Sequence, residues 1–147
     1  MRYQKAFAEG VTDGKSRYDA GRLRYPANMP ERFQVGLHAH DFTEKDVKIF
    51  NQSLGLREGP GQILSMNRWS YDMLGSGQIV RPDLLIDFGP RQRYWVDGKT
   101  SLLNLEMTQQ FRNFNNYTGA SGGKVATPNG LYVIPNTPKQ STVRLRK

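Results

Sequence analysis

A chain of 147 residues, 37% of them hydrophobic, fits one domain and can bury an adequate core. It contains no cysteine, which excludes disulfides and thiolate-bound zinc. Lys and Arg number 21 against 13 Asp and Glu, a formal charge of +8 that favours a polyanionic partner such as nucleic acid or an acidic protein.

Residues 1–41 carry Gly10, Gly14, Gly21, Pro26 and Pro30 as punctuation and Arg17, Arg22, Arg24 and Arg32 as charge. They read as a basic segment of loops and short helices, with nothing resembling a secretory signal. A helix is predicted from Asp41 or Thr43, where Thr43 and Asp46 resemble a capping box, with Val47, Phe50 and Leu54 following and Gly55 as the stop. A second helix is predicted over 61–74 behind Pro60, with Ile63, Met66 and Met73 inward. Then the pattern changes. Residues 78–88 read as a strand, Gly89 to Gln92 as a turn and 93–100 as a second strand, together an antiparallel hairpin. Leu103, Met107, Phe111 and Phe114 predict a third helix over about 102–117. Residues 119–130 read as a loop, 131–134 as a short strand and 142–145 as another. The apolar runs at 84–88 and 131–134 are far too short to span a bilayer. Helix, hairpin, helix and strand add up to an α/β or α+β fold, a small mixed sheet flanked by helices, with 1–147 as one domain and its catalytic core at about 58–135.

The hairpin carries the chemistry. Alternate strand residues share a face, so Asp83, Leu85 and Asp87 point one way while Asp97 and Lys99 share a face of the second strand. Two carboxylates repel unless a cation intervenes, which makes a hard divalent ion their natural partner. A lysine beside them stabilises charge developing on a phosphoryl oxygen. Asp13-Gly14-Lys15 repeats the Asp-Gly-Lys triplet without a strand and an acid before it, and reads as a turn. His38 and His40 would share a strand face as metal ligands, but no third ligand follows at a usual spacing; a solvated or phosphate-contacting segment is the better reading. Neither Gly14-Lys15-Ser16 nor Gly98-Lys99-Thr100 has the upstream glycine of a P-loop. Tyr71, Tyr94, Trp95 and Tyr117 lie among arginines, a mixture suited to stacking on unpaired bases.

Pro82-Asp83 and Asp97-Gly98-Lys99, in this order of elements, resemble the PD-(D/E)xK nuclease superfamily, with its restriction-endonuclease-like fold, over about residues 61–134. The resemblance implies that Asp83 and Asp97 bind magnesium, or manganese or zinc in its place, and that Lys99 assists the attacking water. It also implies an acid from a first helix, for which Glu58 is preferred over Asp72. A glutamine on the helix after the lysine would be Gln110, although Phe114 stands where the family has tyrosine. The implied activity is a metal-dependent endonuclease acting on tRNA or DNA. Small size and a basic surface resemble bacterial contact-dependent inhibition toxins, which act in the cytoplasm of a target cell after delivery within a larger protein and are blocked by a cognate immunity protein, here expected to be acidic. Phage and repair nucleases of the same fold are alternatives, as is a binding module without catalysis.

Overall fold

Tyr3, Phe7, Val11 and Gly14 recur at three- and four-residue spacing, as do Val35, Ala39, Thr43, Val47 and Asn51. Each set is the buried stripe of a long helix in the computed structural model, which describes residues 2–59, 61–71, 79–89, 92–100, 111, 113–115 and 123–134. The first helix, α1 (Arg2–Asp19), and the second, α2 (Glu31–Ser53), pack against each other. They replace the expected loops of 1–41, and α2 begins ten residues or more before the predicted start. The expected punctuation in fact mediates packing. A Cβ on Gly10 would lie 3.1 Å from the Ala39 backbone, and one on Gly14 would lie 3.3 Å from Val35. Each glycine costs a helix interior about 1 kcal/mol. Full burial of Phe7, Val11, Val35 or Val47 returns roughly 1.5–3 kcal/mol apiece, so the packed stripe decides the outcome. Thr43 is no cap either; it is buried in mid-helix, its hydroxyl donating to the Ala39 carbonyl at 2.6 Å. Asp13-Gly14-Lys15 lies within α1, so the predicted turn is absent.

Among the described residues seven short strands follow: β1 (Leu64–Met66), β2 (Ser70–Tyr71), β3 (Ile79–Val80), β4 (Leu84–Asp87), β5 (Arg93–Gly98), β6 (Gly123–Thr127) and β7 (Gly130–Ile134). Five form a mixed sheet in the order β1-β4-β5-β6-β7, while β2 and β3 pair separately. Among these five, β5 and β6 run parallel and the other neighbours antiparallel. The architecture is α+β, as the sequence predicts. The predicted hairpin is β4–β5, with Leu84 opposite Val96 and Asp87 opposite Arg93.

Three segments differ from expectation. Residues 61–71 turn and then form β1 and β2 instead of a helix: Leu64 and Met66 face the core at strand alternation, and Ile63 is exposed. The single strand expected over 78–88 is broken at Arg81-Pro82-Asp83, where proline removes a ladder donor. The predicted loop at 119–130 contains β6. Gly123 belongs to that strand because Trp95 occupies the space of its missing side chain: an added Cβ would fall 1.9 Å from the indole.

Apolar residues fill both faces of the sheet. Phe7, Val11, Val35 and Ala39 of the helices pack on Met66, Leu84, Val96 and Ala126. On the opposite face, Leu85, Trp95, Val125 and Ile134 meet Val80, Phe111 and Phe114. Phe111 and residues 113–115 are helical, as expected of the third helix, and the Trp95 indole N–H donates to Asn115 Oδ1 at 3.0 Å. The rest of that predicted helix and the strand predicted at 142–145 lie outside the described residues. Among the described residues no helix is long and apolar enough to cross a membrane.

Candidate active site

Continuing the β4–β5 register by one residue sets Asp83 opposite Asp97. Pro82 ends the ladder there, which frees the Asp83 carboxylate to turn along the end of β5 and accept the Gly98 N–H at 2.7 Å. Gly98 is required at this point for a second reason: a Cβ would stand 2.5 Å from the Phe7 ring. With a side chain there, α1 could not approach the end of β5. The Lys99 N–H donates to the Ala126 carbonyl at 2.9 Å, so the parallel neighbour fixes the backbone that carries the lysine.

Asp97 is almost wholly buried, and Lys99 Nζ lies 2.8 Å from its Oδ2. The pair is close enough for ionic attraction but misaligned for a hydrogen bond, so Oδ2 remains buried without a hydrogen-bond donor aimed at it. Burial, reinforced by the neighbouring Asp83 charge, pushes the Asp97 carboxyl up to about 7 despite the lysine. Asp83 moves the other way. Burial would raise it, but the His40 imidazole, the adjacent Asp97 carboxyl and the Gly98 N–H together hold it below the ordinary carboxylate range. Two carboxyls sharing one proton is the expected state of such a pair.

His40 Nδ1 stands 3.0 Å from Asp83 Oδ2, again at ion-pair distance without hydrogen-bond alignment. Burial lowers the imidazole, yet contact with Asp83 outweighs it and the net shift is upward, toward the imidazolium. Tyr3 completes the group, lining the same opening as His40 and Asp83. Its phenol is raised well above 10, chiefly by burial and then by the Asp83 and Asp97 charges. Among the described residues two openings reach the group. One, of about 400 Å³, is lined by Tyr3, His40, Arg81 and Asp83. The other, of about 470 Å³, is lined by Phe33, Leu37, His40 and Lys99.

Asp83, Asp97 and Lys99 therefore converge as the sequence predicts. Glu58 lies elsewhere: its carboxylate accepts the Met66 N–H at 2.8 Å and Arg68 Nε at 3.2 Å, and among the described residues no contact joins it to the acid pair. Asp87, expected on the face of Asp83, accepts from the Gly89 N–H and from Arg93 Nε. Gln110 and Asp72 lie outside the described residues. His40 and Tyr3 were missed as site residues. Read as a strand, His38 and His40 share a face; on α2 they diverge by about 200°. His38 consequently meets Asp13 of α1 at 2.7 Å, and His40 meets Asp83 of the sheet. The five-membered stripe from Val35 to Asn51 was the signal that could have identified the helix.

Comparison with known proteins finds no matching family model, no similar curated protein and no similar solved structure.

Proposed function

We propose that the chain is a metal-dependent nuclease that hydrolyses phosphodiester bonds in nucleic acid. The carrying observation is the buried Asp97 carboxylate, set beside Asp83 with Lys99 Nζ 2.8 Å away and one oxygen lacking an aligned donor. Two carboxylates supply hard oxygen ligands, and magnesium binds through one or two of them while keeping several waters. Among the described residues no group of three or more His, Asp or Glu is placed to hold an ion. Asp83 and Asp97 would therefore be the residues to hold such an ion. A magnesium, manganese or zinc ion held there lowers the pKa of a coordinated water and neutralises phosphate charge. Lys99 donates to a phosphoryl oxygen as charge develops on it. His40 keeps Asp83 ionised, and the Phe7 ring closes the floor against solvent.

The net charge of +8 supports a polyanionic substrate, tRNA or DNA. It also fits a toxin effector domain that acts in the cytoplasm of a target cell and is restrained by an acidic immunity protein. The test is incubation with plasmid and with total tRNA, with magnesium and then with chelator. Cleavage that chelator abolishes is expected; salt-sensitive binding with no cleavage in magnesium, manganese or zinc overturns the reading in favour of a non-catalytic module.

His40 favours a second reading. An imidazole held by a buried carboxylate and open to solvent is equipped for general acid–base work on an RNA 2′-hydroxyl. Under that reading tRNA cleavage persists in chelator and is lost in His40→Ala.

A further inference from the structure

Trp69 is 69% exposed, more than any other large apolar side chain described. It stands on the wall of a cleft of about 870 Å³, next to Asn67, Arg68, Arg81 and Arg93. Set in a cleft among arginines, so large an exposed ring offers a π face on which a flat ligand can stack. The chain is shaped to hold it there. Asn67 adopts a left-handed φ of 52°, turning the backbone between β1 and β2, and its carbonyl accepts from Arg81 Nε at 3.2 Å. The Arg81 guanidinium in turn lies 5.7 Å from the centre of the Trp69 ring. Glu58 holds Arg68 by Nε, and Asp87 holds Arg93 by Nε. A guanidinium carries five donors in a rigid fork, so anchoring Arg68 and Arg81 through Nε leaves their outer edges to face the cleft.

We propose that this cleft binds an unpaired stretch of nucleic acid, one base stacked on Trp69 and the adjoining phosphates on Arg68 and Arg81. The inference rests on the nuclease reading for its link to cleavage, and it names the substrate as single-stranded. A duplex keeps its base faces stacked internally, whereas a lone indole beside arginines gains a π face only from an unstacked base. The cleft shares Asn67 and Arg81 with the opening that contains His40 and Asp83. A strand anchored at Trp69 is therefore led toward the opening where Asp83 and His40 stand.

The experiment measures binding of oligouridine and oligodeoxythymidine of about ten nucleotides, beside a duplex of equal length, in chelator so that no magnesium-dependent turnover occurs. Trp95 is buried, so quenching of tryptophan fluorescence reports on Trp69. The expected result is quenching by single strands, at least about tenfold weaker binding of the duplex, and about tenfold weaker single-strand binding in Trp69→Ala. Trp69→Phe, which keeps a stacking face, should recover most of that loss. Equal affinity for duplex and single strand, or an unchanged Trp69→Ala, overturns the proposal. Absence of cleavage in magnesium with quenching intact refutes the nuclease reading alone; cleavage of single strands with an unaltered Trp69→Ala KM refutes the stacking site alone.

Discussion

Asp-Gly-Lys occurs twice in this chain, at 13–15 and at 97–99, and the two copies have opposite physical chemistry. In α1, Asp13 is half-exposed, bonded to His38 and Arg17, and held below the ordinary carboxylate value mainly by the histidine. Gly14 packs against α2, and Lys15 extends into solvent. In β5, Asp97 is buried and pushed up to about 7, Gly98 makes room for Phe7 while donating to Asp83, and Lys99 is drawn onto the acid. A helix rotates each successive side chain by about 100°, so the aspartate and lysine of a triplet diverge; a strand returns them to one face. The difference teaches that the triplet's electrostatics are set by strand geometry, by burial and by a second acid one strand away.

The comparison breaks most decisively at the acids. Asp97→Ala and Asp83→Ala should each lower cleavage by about a thousandfold or more, on the scale of losing a principal catalytic group, while Asp13→Ala leaves turnover within about twofold. Steady-state cleavage of the substrate identified with plasmid and tRNA decides it, with circular dichroism to establish folding. Equal damage from Asp13→Ala would mean that the wrong copy has been assigned.

At the lysines the expected effect is smaller. Lys99→Met should reduce kcat by about a hundredfold with magnesium affinity retained, because the ammonium acts on developing charge. Lys15→Met should change neither quantity. Calorimetric titration beside cleavage kinetics separates the two effects, and a Lys99→Met protein that loses its metal instead would make the lysine a structural partner of Asp97.

The glycines sharpen the contrast through stability. Gly98→Ala forces a methyl group against the Phe7 ring at 2.5 Å, an overpacking expected to cost about 1–3 kcal/mol. Gly14→Ala gains about 1 kcal/mol of helix propensity against contacts at 3.2–3.4 Å, which leaves it near neutral. Urea denaturation of both variants measures the difference, and a Gly98→Ala protein as stable as wild type would show that Phe7 has room to move.

The smallest effect is the pH dependence. Asp97 is raised from 3.8 to about 7 in the folded chain, so the native state holds a proton there that the unfolded chain has released. Its contribution is fully present below about 4 and is lost as pH rises toward 7. The raised His40 adds a loss of the same sign above 6.5. Without metal, Tm should therefore fall by a few degrees between pH 5 and 8 and flatten in Asp97→Asn. Magnesium, which needs the ionised pair, should reverse the slope.

The β4–β5 hairpin and its acid pair were legible because they depend on local alternation and on partners within fifteen residues. The second half of α2 was legible too, with Gly55 beyond its end, but α1 and the first half of α2 were not, because Gly10 and Gly14 carry the sequence signature of turns although they serve helix packing, a contact that no window of sequence contains. Gly123 misleads in the same way, its missing side chain answering to a tryptophan on another strand. Ile63 and Met66 fit helical spacing by coincidence in a segment too short to decide between periods. His40 stayed hidden because its partner lies 43 positions away, across a helix whose start had been misplaced.

One hydrogen bond carries a consequence for the order of assembly. The Gln4 side-chain amide donates to the Thr127 carbonyl at 2.8 Å, tying the first turn of α1 to the end of β6. That contact spans 123 residues, and the backbone of Lys99 depends on the same strand through Ala126. During synthesis, α1 and α2 emerge before the sheet and can pair at once. The acid pair and its lysine must wait for their final arrangement until β6 has emerged, since loops of this length close late and only after local structure exists. A nascent chain or fragment that stops short of residue 127 therefore carries both acids and the lysine without the strand that aligns them.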